Sequence, residues 1–178
     1  MTALEATPDE RAATLPGDEI VPQADVVMDR AFGLDAAPEQ VWPWFVQLGK
    51  HRAGWYLPRL VERAVPRRRR ALRHIDSGLQ RLAVGDVIPD WGGRRATFEL
   101  AVLTPPTVLV HTSTRGRMRL SWAIVLSGDP PASTRVHLRL RLGGVRHERL
   151  ASIGGGLIDW LTIAGLAAGL RERLADSR

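Results

Sequence analysis

A chain of 178 residues is long enough for one domain that buries roughly 70% of the surface its unfolded form exposes, so it needs no disulfide or metal staples. It has no cysteine, which excludes disulfides, thiolate chemistry and Cys-based zinc sites. The net charge of +6 is uneven: residues 1–39 carry nine acids against two arginines, whereas the rest carries 23 basic residues against ten acids. Of the 25 basic residues only Lys50 is a lysine, a bias that accompanies abundant Ala, Gly and Pro and reads as coding composition rather than as a nucleic-acid footprint.

Residues 1–23 are acidic and rich in Pro, Thr and Ala without a sustained apolar period, so they read as a flexible N-terminal segment preceding a single domain over 24–178. They contain no basic stretch followed by an apolar run, which argues against a signal or transit peptide and for a cytoplasmic protein. Alternation over 25–34 predicts a first strand. Asp35 is placed to cap a helix over 37–48, with Pro38 in its first turn, Pro43 inside it and Gly49 at its end. The spacing of Trp55, Leu57, Leu60 and Val61 predicts a second short helix over 55–64. The run RAVPRRRRALRHIDSGLQ breaks apolar periodicity and reads as an exposed loop.

From Ala83 onward the period becomes two, with strands predicted at 86–88, 96–103, 107–112, 118–126 and 134–142. Turn residues separate them, at Pro105-Pro106, Arg115-Gly116 and the run from Ser127 to Pro131, as an antiparallel meander requires. The last two strands divide by chemistry. Leu120, Trp122, Ile124, Val136, Leu138 and Leu140 share a covered apolar face, and Arg119, Arg135, His137, Arg139 and Arg141 share a basic face expected to meet water. A helix over 157–174 supplies the cover. The stretch 150–170 holds one charged residue, Asp159, and five glycines, which favours a buried terminal helix over a membrane span.

PEQVWPWFVQLG followed by AGWY, then LAVGDVIPDWGG, then SWAIVL followed by TRVHLRLR, resemble segments of bacterial members of the SRPBCC superfamily, which unites START, Bet v 1-like and polyketide-cyclase-like proteins. The resemblance covers roughly residues 25–175. It implies an α+β helix-grip fold: a curved antiparallel sheet wrapped around a long C-terminal helix, with two short helices after the first strand and an apolar cavity between sheet and helix. The sequence departs from that pattern at Leu57-Pro58-Arg59-Leu60 and at PRRRRALR.

Half of the ten aromatic residues fall within nineteen positions, at Trp42, Trp44, Phe45, Trp55 and Tyr56. Val41, Phe45 and Leu48 share a helical face and read as core, with Trp42 beside them, whereas Trp55 and Tyr56 follow Gly54 in a loop and are candidates for a cavity wall. Trp122 lies on the apolar strand face, His111 is a strand histidine able to hydrogen-bond a ligand, and Trp160 on the terminal helix joins them as a ligand-binding candidate. Asp86 and Asp90 read as turn and loop residues, Glu99 as solvent-facing. There is no GxSxG, HExxH, Walker loop or GxGxxG, His147-Glu148 lacks a second histidine, and the GGG at 154–156 lacks the strand and lysine of a phosphate site. Neither metal nor cofactor is expected.

The resulting expectation is binding of a small or medium hydrophobic molecule, lipid-like or of polyketide or aromatic type. One alternative is cyclase- or dehydratase-like chemistry on the same fold, with His111 as acid or base. Another is a non-enzymatic interaction protein whose basic surface meets anionic membrane or nucleic acid. For nucleic acid the sequence offers neither a recognised motif nor a stacking platform.

Overall fold

The period-two segments form six strands, β1 (Val26–Leu34), β2 (Val87–Pro89), β3 (Thr97–Thr104), β4 (Val108–Arg115), β5 (Met118–Asp129) and β6 (Ser133–Gly143). They belong to a computed structural model that describes residues 4–93, 95–129, 132–145 and 148–177, so His147 and the Pro130-Pro131 connection lie outside the described residues. All neighbours pair antiparallel in the order β1-β6-β5-β4-β3-β2. Register carries one row of side chains across five strands: Met28 opposes Leu140, Leu140 opposes Trp122, Trp122 opposes His111 and His111 opposes Leu100. Because strand side chains alternate, this row and its apolar neighbours define one face of the sheet.

Helices α2 (Pro38–Gln47) and α4 (Glu148–Asp176) cover that face. On α4, Ile163, Leu166, Ala167, Leu170 and Leu174 are buried at helical spacing and join a core containing Phe32, Val41, Trp44, Phe45, Ile124 and Leu138. The helix begins nine residues before its expected start, so the triple glycine at 154–156 lies inside it and offers no free amides at a helix terminus. No helix among the described residues is long and apolar enough to cross a membrane. Gly169 permits a close approach: a Cβ there would fall 2.7 Å from the backbone nitrogen of Leu57.

Two local expectations are corrected. The cap of α2 is Ala37 rather than Asp35, and its amide donates to Gln40 Oε1 at 3.2 Å. The second short helix shrinks to α3 (Arg59–Glu62), because Pro58 disfavours helical backbone at Leu57, and Leu60 and Val61 are exposed rather than packed.

The largest correction concerns residues 4–25, which pack on the opposite, basic face of the sheet instead of forming a flexible segment. Glu5 bridges Arg30 on the β1 edge, and a capping box between Thr7 and Glu10 opens α1 (Pro8–Ala12). Arg135 then grips Glu10 with two bonds, of 2.7 and 2.8 Å. Arg139, 3% exposed, bonds the carbonyls of Glu10, Arg11 and Ala13 together with the carboxylates of Asp18 and Asp29. Arg119 and Arg141 donate to Ile20, Val21 and Pro22 carbonyls. The face expected to be wet is therefore covered, and the acidic composition of the first residues complements the arginines of β5 and β6. Gly17, at φ 92°, lies so close to β4 that a Cβ would come within 2.5 Å of Val110.

Candidate functional site

Between the sheet and α4 lies a cavity of about 580 Å³. That size is ordinary for a small-molecule site. The in-register row supplies its floor through Met28, Leu140, Trp122 and His111, and Phe98 extends it on β3. Ile158, Asp159, Thr162 and Ile163 of α4 form the roof, while Phe45, Leu48, Trp55, Ile88 and Trp91 close the sides.

Four aromatic side chains of this wall, Trp55, Trp91, Phe98 and Trp122, form a continuous group with the His111 imidazole. Trp55 stacks on Trp122 with centroids 6.1 Å apart and planes at 27°, and Trp91 stands edge-on to Trp55 at 5.8 Å. Trp122 in turn lies 5.7 Å from His111 and 6.0 Å from Phe98. Such contacts add specific geometry to the apolar area that each ring buries. Trp55 is tied to the roof by its indole N–H, which donates to Thr162 O at 3.3 Å. Trp91 is 51% exposed and marks the outer rim.

Among the described residues three ionisable groups touch this apolar space. Asp90 is ion-paired with Arg115, whose guanidinium also sits 5.6 Å from the Phe98 centroid. Asp159 pairs with Arg30 Nε at 2.9 Å, and burial raises its carboxyl pKa despite that cation. His111 is 6% exposed, and its Nδ1 has no hydrogen-bond partner among the described residues. Burial, reinforced by the positive charge of Arg52, pushes its pKa down to about 4, so the imidazole is neutral at pH 7.

That shift has a consequence for stability. Between pH 6.5 and about 4 the unfolded chain takes up a proton on His111 that the native imidazole refuses, so stability falls as pH falls through this window. The loss expected from this group is about 3 kcal/mol at 1.36 kcal/mol per pKa unit. His111→Leu should flatten the pH dependence of the urea midpoint between pH 4 and 6.5, and an unchanged slope would show that His111 does not cause it.

Of the five candidate residues, Trp55, His111 and Trp122 line the cavity, and Tyr56 and Trp160 do not. Residues 55–57 belong to no helix or strand, and the chain there turns Trp55 to the cavity and Tyr56 into the core. Tyr56 is fully buried: its hydroxyl donates to Trp44 O at 2.8 Å, its ring meets Trp44 edge-on, and Arg173 lies 4.7 Å from its centroid. Trp160 is 43% exposed, one position round α4 from Asp159 and turned outward. Tyr56→Phe leaves a buried carbonyl unpaired and should cost about 1–2 kcal/mol in a denaturant titration.

The sequence reading missed Met28, Trp91, Phe98, Leu140 and Asp159 as wall residues. Alternation already placed Leu140 on the covered apolar face, and it turns Phe98 away from the side taken by the solvent-facing Glu99. Met28 follows only from its register with Leu140, and Trp91 only from the course of the β2–β3 connection.

No protein-family model and no curated protein sequence matches the chain. Solved structures do match its shape. A Rhodobacter sphaeroides protein aligns with TM-score 0.55 at 15% identity, over 88% of this chain and 97% of that one. A Mesorhizobium loti protein gives 0.51 at 18% identity, over 86% and 99%. A point mutant of norcoclaurine synthase from Thalictrum flavum, in complex with a transition-state analogue, gives 0.53 at 11% identity, over 85% and 95%.

The chain has the helix-grip fold. It is an α+β protein, with its cavity between the sheet and the C-terminal helix.

Proposed function

We propose that the chain is an SRPBCC-type protein that binds a small or medium hydrophobic molecule, lipid-like or aromatic, in the cavity between the sheet and α4. The observation that carries this reading is the cavity itself: about 580 Å³ of space walled by Met28, Trp55, Phe98, Trp122, Leu140 and Ile163. Space of that kind in a packed interior has no role in stability, since an unfilled apolar volume costs folding energy. The complex of norcoclaurine synthase with a transition-state analogue offers a precedent for a small molecule held by this fold.

Titration with a neutral naphthylamine probe, followed by its fluorescence, tests the reading. The wild-type protein should bind saturably. Trp55→Ala should weaken binding about tenfold, because it removes both a stacked wall and a tie to the roof, whereas Tyr56→Phe should leave it unchanged. Absence of saturable binding, or equal effects of the two substitutions, would refute it.

A second reading, acid–base conversion of the bound molecule in the manner of a cyclase or dehydratase, is favoured by two of the titratable groups on the wall. Burial holds both Asp159 and His111 toward their neutral forms, the condition in which a carboxyl can donate and an imidazole can accept a proton. Its mark would be a product released from a molecule that co-purifies with the chain, lost in Asp159→Asn while binding persists.

A further inference from the structure

The imidazole of His111 has aromatic rings as close neighbours, with the Arg52 charge near enough to act on it. Phe98 meets it edge-on at 5.9 Å and Trp122 lies tilted against it at 5.7 Å. More than nine-tenths of the residue is buried, it borders the cavity, and Nδ1 has no partner among the described residues. Buried polar groups in folded proteins are nearly always paired, because leaving one unpaired forfeits its hydration with nothing in return. A leucine or phenylalanine would complete this wall without that penalty. The other two ionisable groups of the wall differ in this respect, since Asp90 and Asp159 each have an arginine.

The surroundings also limit what could pair with it. A neutral imidazole offers one N–H and one lone pair, and a hydroxyl can satisfy either because it both donates and accepts. Trp122 and Phe98 adjoin the imidazole and Trp55 stacks on Trp122, so a molecule reaching it with a polar group would lay its body on aromatic rings.

We propose that His111 is the specificity-determining residue of the cavity, selecting a planar, ring-containing molecule with a hydroxyl group placed to hydrogen-bond the imidazole. This rests on the reading of the cavity as a ligand site. Discrimination of this kind is strong because the analogue lacking the hydroxyl leaves the buried nitrogen unpaired.

The test compares 9-phenanthrol with phenanthrene, binding each to the full chain and to His111→Phe at pH 7.5. The ratio of the two dissociation constants is compared between proteins, so that the hydration of the compounds cancels. The preference for phenanthrol should fall about tenfold or more in the variant, with phenanthrene bound as well as or better than by wild type. An unchanged ratio overturns the assignment of His111 while leaving the cavity as a binding site. Binding of neither compound to wild type overturns the ligand site and this assignment together. Should His111→Phe fail to fold, the 15N spectrum of the wild-type imidazole decides. Phenanthrol at saturation should shift the His111 nitrogens by a hydrogen-bonding increment that phenanthrene does not produce, and equal spectra with the two compounds contradict the proposal.

Discussion

Removal of residues 1–22 is expected to lower the thermal unfolding midpoint by about 10 °C or more, since roughly 3–5 kcal/mol at 2–4 °C per kcal/mol is at stake for a chain of this size. The segment supplies three carbonyls and the Asp18 carboxylate to Arg139, Glu10 to Arg135, and further carbonyls to Arg119 and Arg141. It also buries Ala6, Leu15 and Val21 against the sheet. Without it Arg139 keeps only Asp29, itself shared with His137, and Val110 is uncovered. The Glu10 carboxyl reports the same contact: its bond to Arg135, outweighing partial burial, lowers its pKa to about 2. A truncated chain that melts within about 2 °C of the full one would mean that this contact contributes nothing to stability.

Arg173→Met is the second large effect, expected to cost about 3–5 kcal/mol of unfolding free energy. The guanidinium has no exposed surface and donates to Glu62 Oε1 at 2.6 Å, Leu72 O at 2.8 Å, and Leu57 O and Gly169 O, each at 3.0 Å. It thus fastens the C-terminal half of α4 to the loop that carries Trp55 and Tyr56 and to the segment after the arginine run. Methionine fills similar volume but satisfies none of these oxygens, and Glu62 retains only Arg73, at 3.0 Å. Urea unfolding of the two proteins measures the difference, and a loss below about 1 kcal/mol would contradict the role assigned to this network.

What the sequence made legible is what repeats at short range. Period-two alternation placed Trp122 and Leu140 on one apolar face, and that face, which strand register extends through His111 of β4, is the cavity floor. The terminal helix was legible from its apolar stripe, but not its start, because the glycines at 154–156 obscure periodicity. Trp55 and Tyr56 could not be told apart, since they lie in a segment without helix or strand and no period reports which of two adjacent residues turns to the cavity. The covering of the basic face was hidden for another reason. Arg139 and the residues that satisfy it lie more than one hundred positions apart, and three of its acceptors are backbone carbonyls, which any residue supplies. The unequal charge of the two parts of the chain was visible, but the docking that it serves was not.

The central claim is that an apolar molecule occupies the space between the sheet and α4, and the six tryptophans allow it to be located residue by residue. The most direct measurement is an indole 1H–15N spectrum of the folded chain during titration with a neutral naphthylamine. The account predicts saturable shifts of the Trp55, Trp91 and Trp122 Nε1–H signals, with Trp44, buried in the core behind Tyr56, and Trp160, outside the cavity, unmoved. Shifts confined to Trp160, or a titration in which the three wall signals never move, would contradict it.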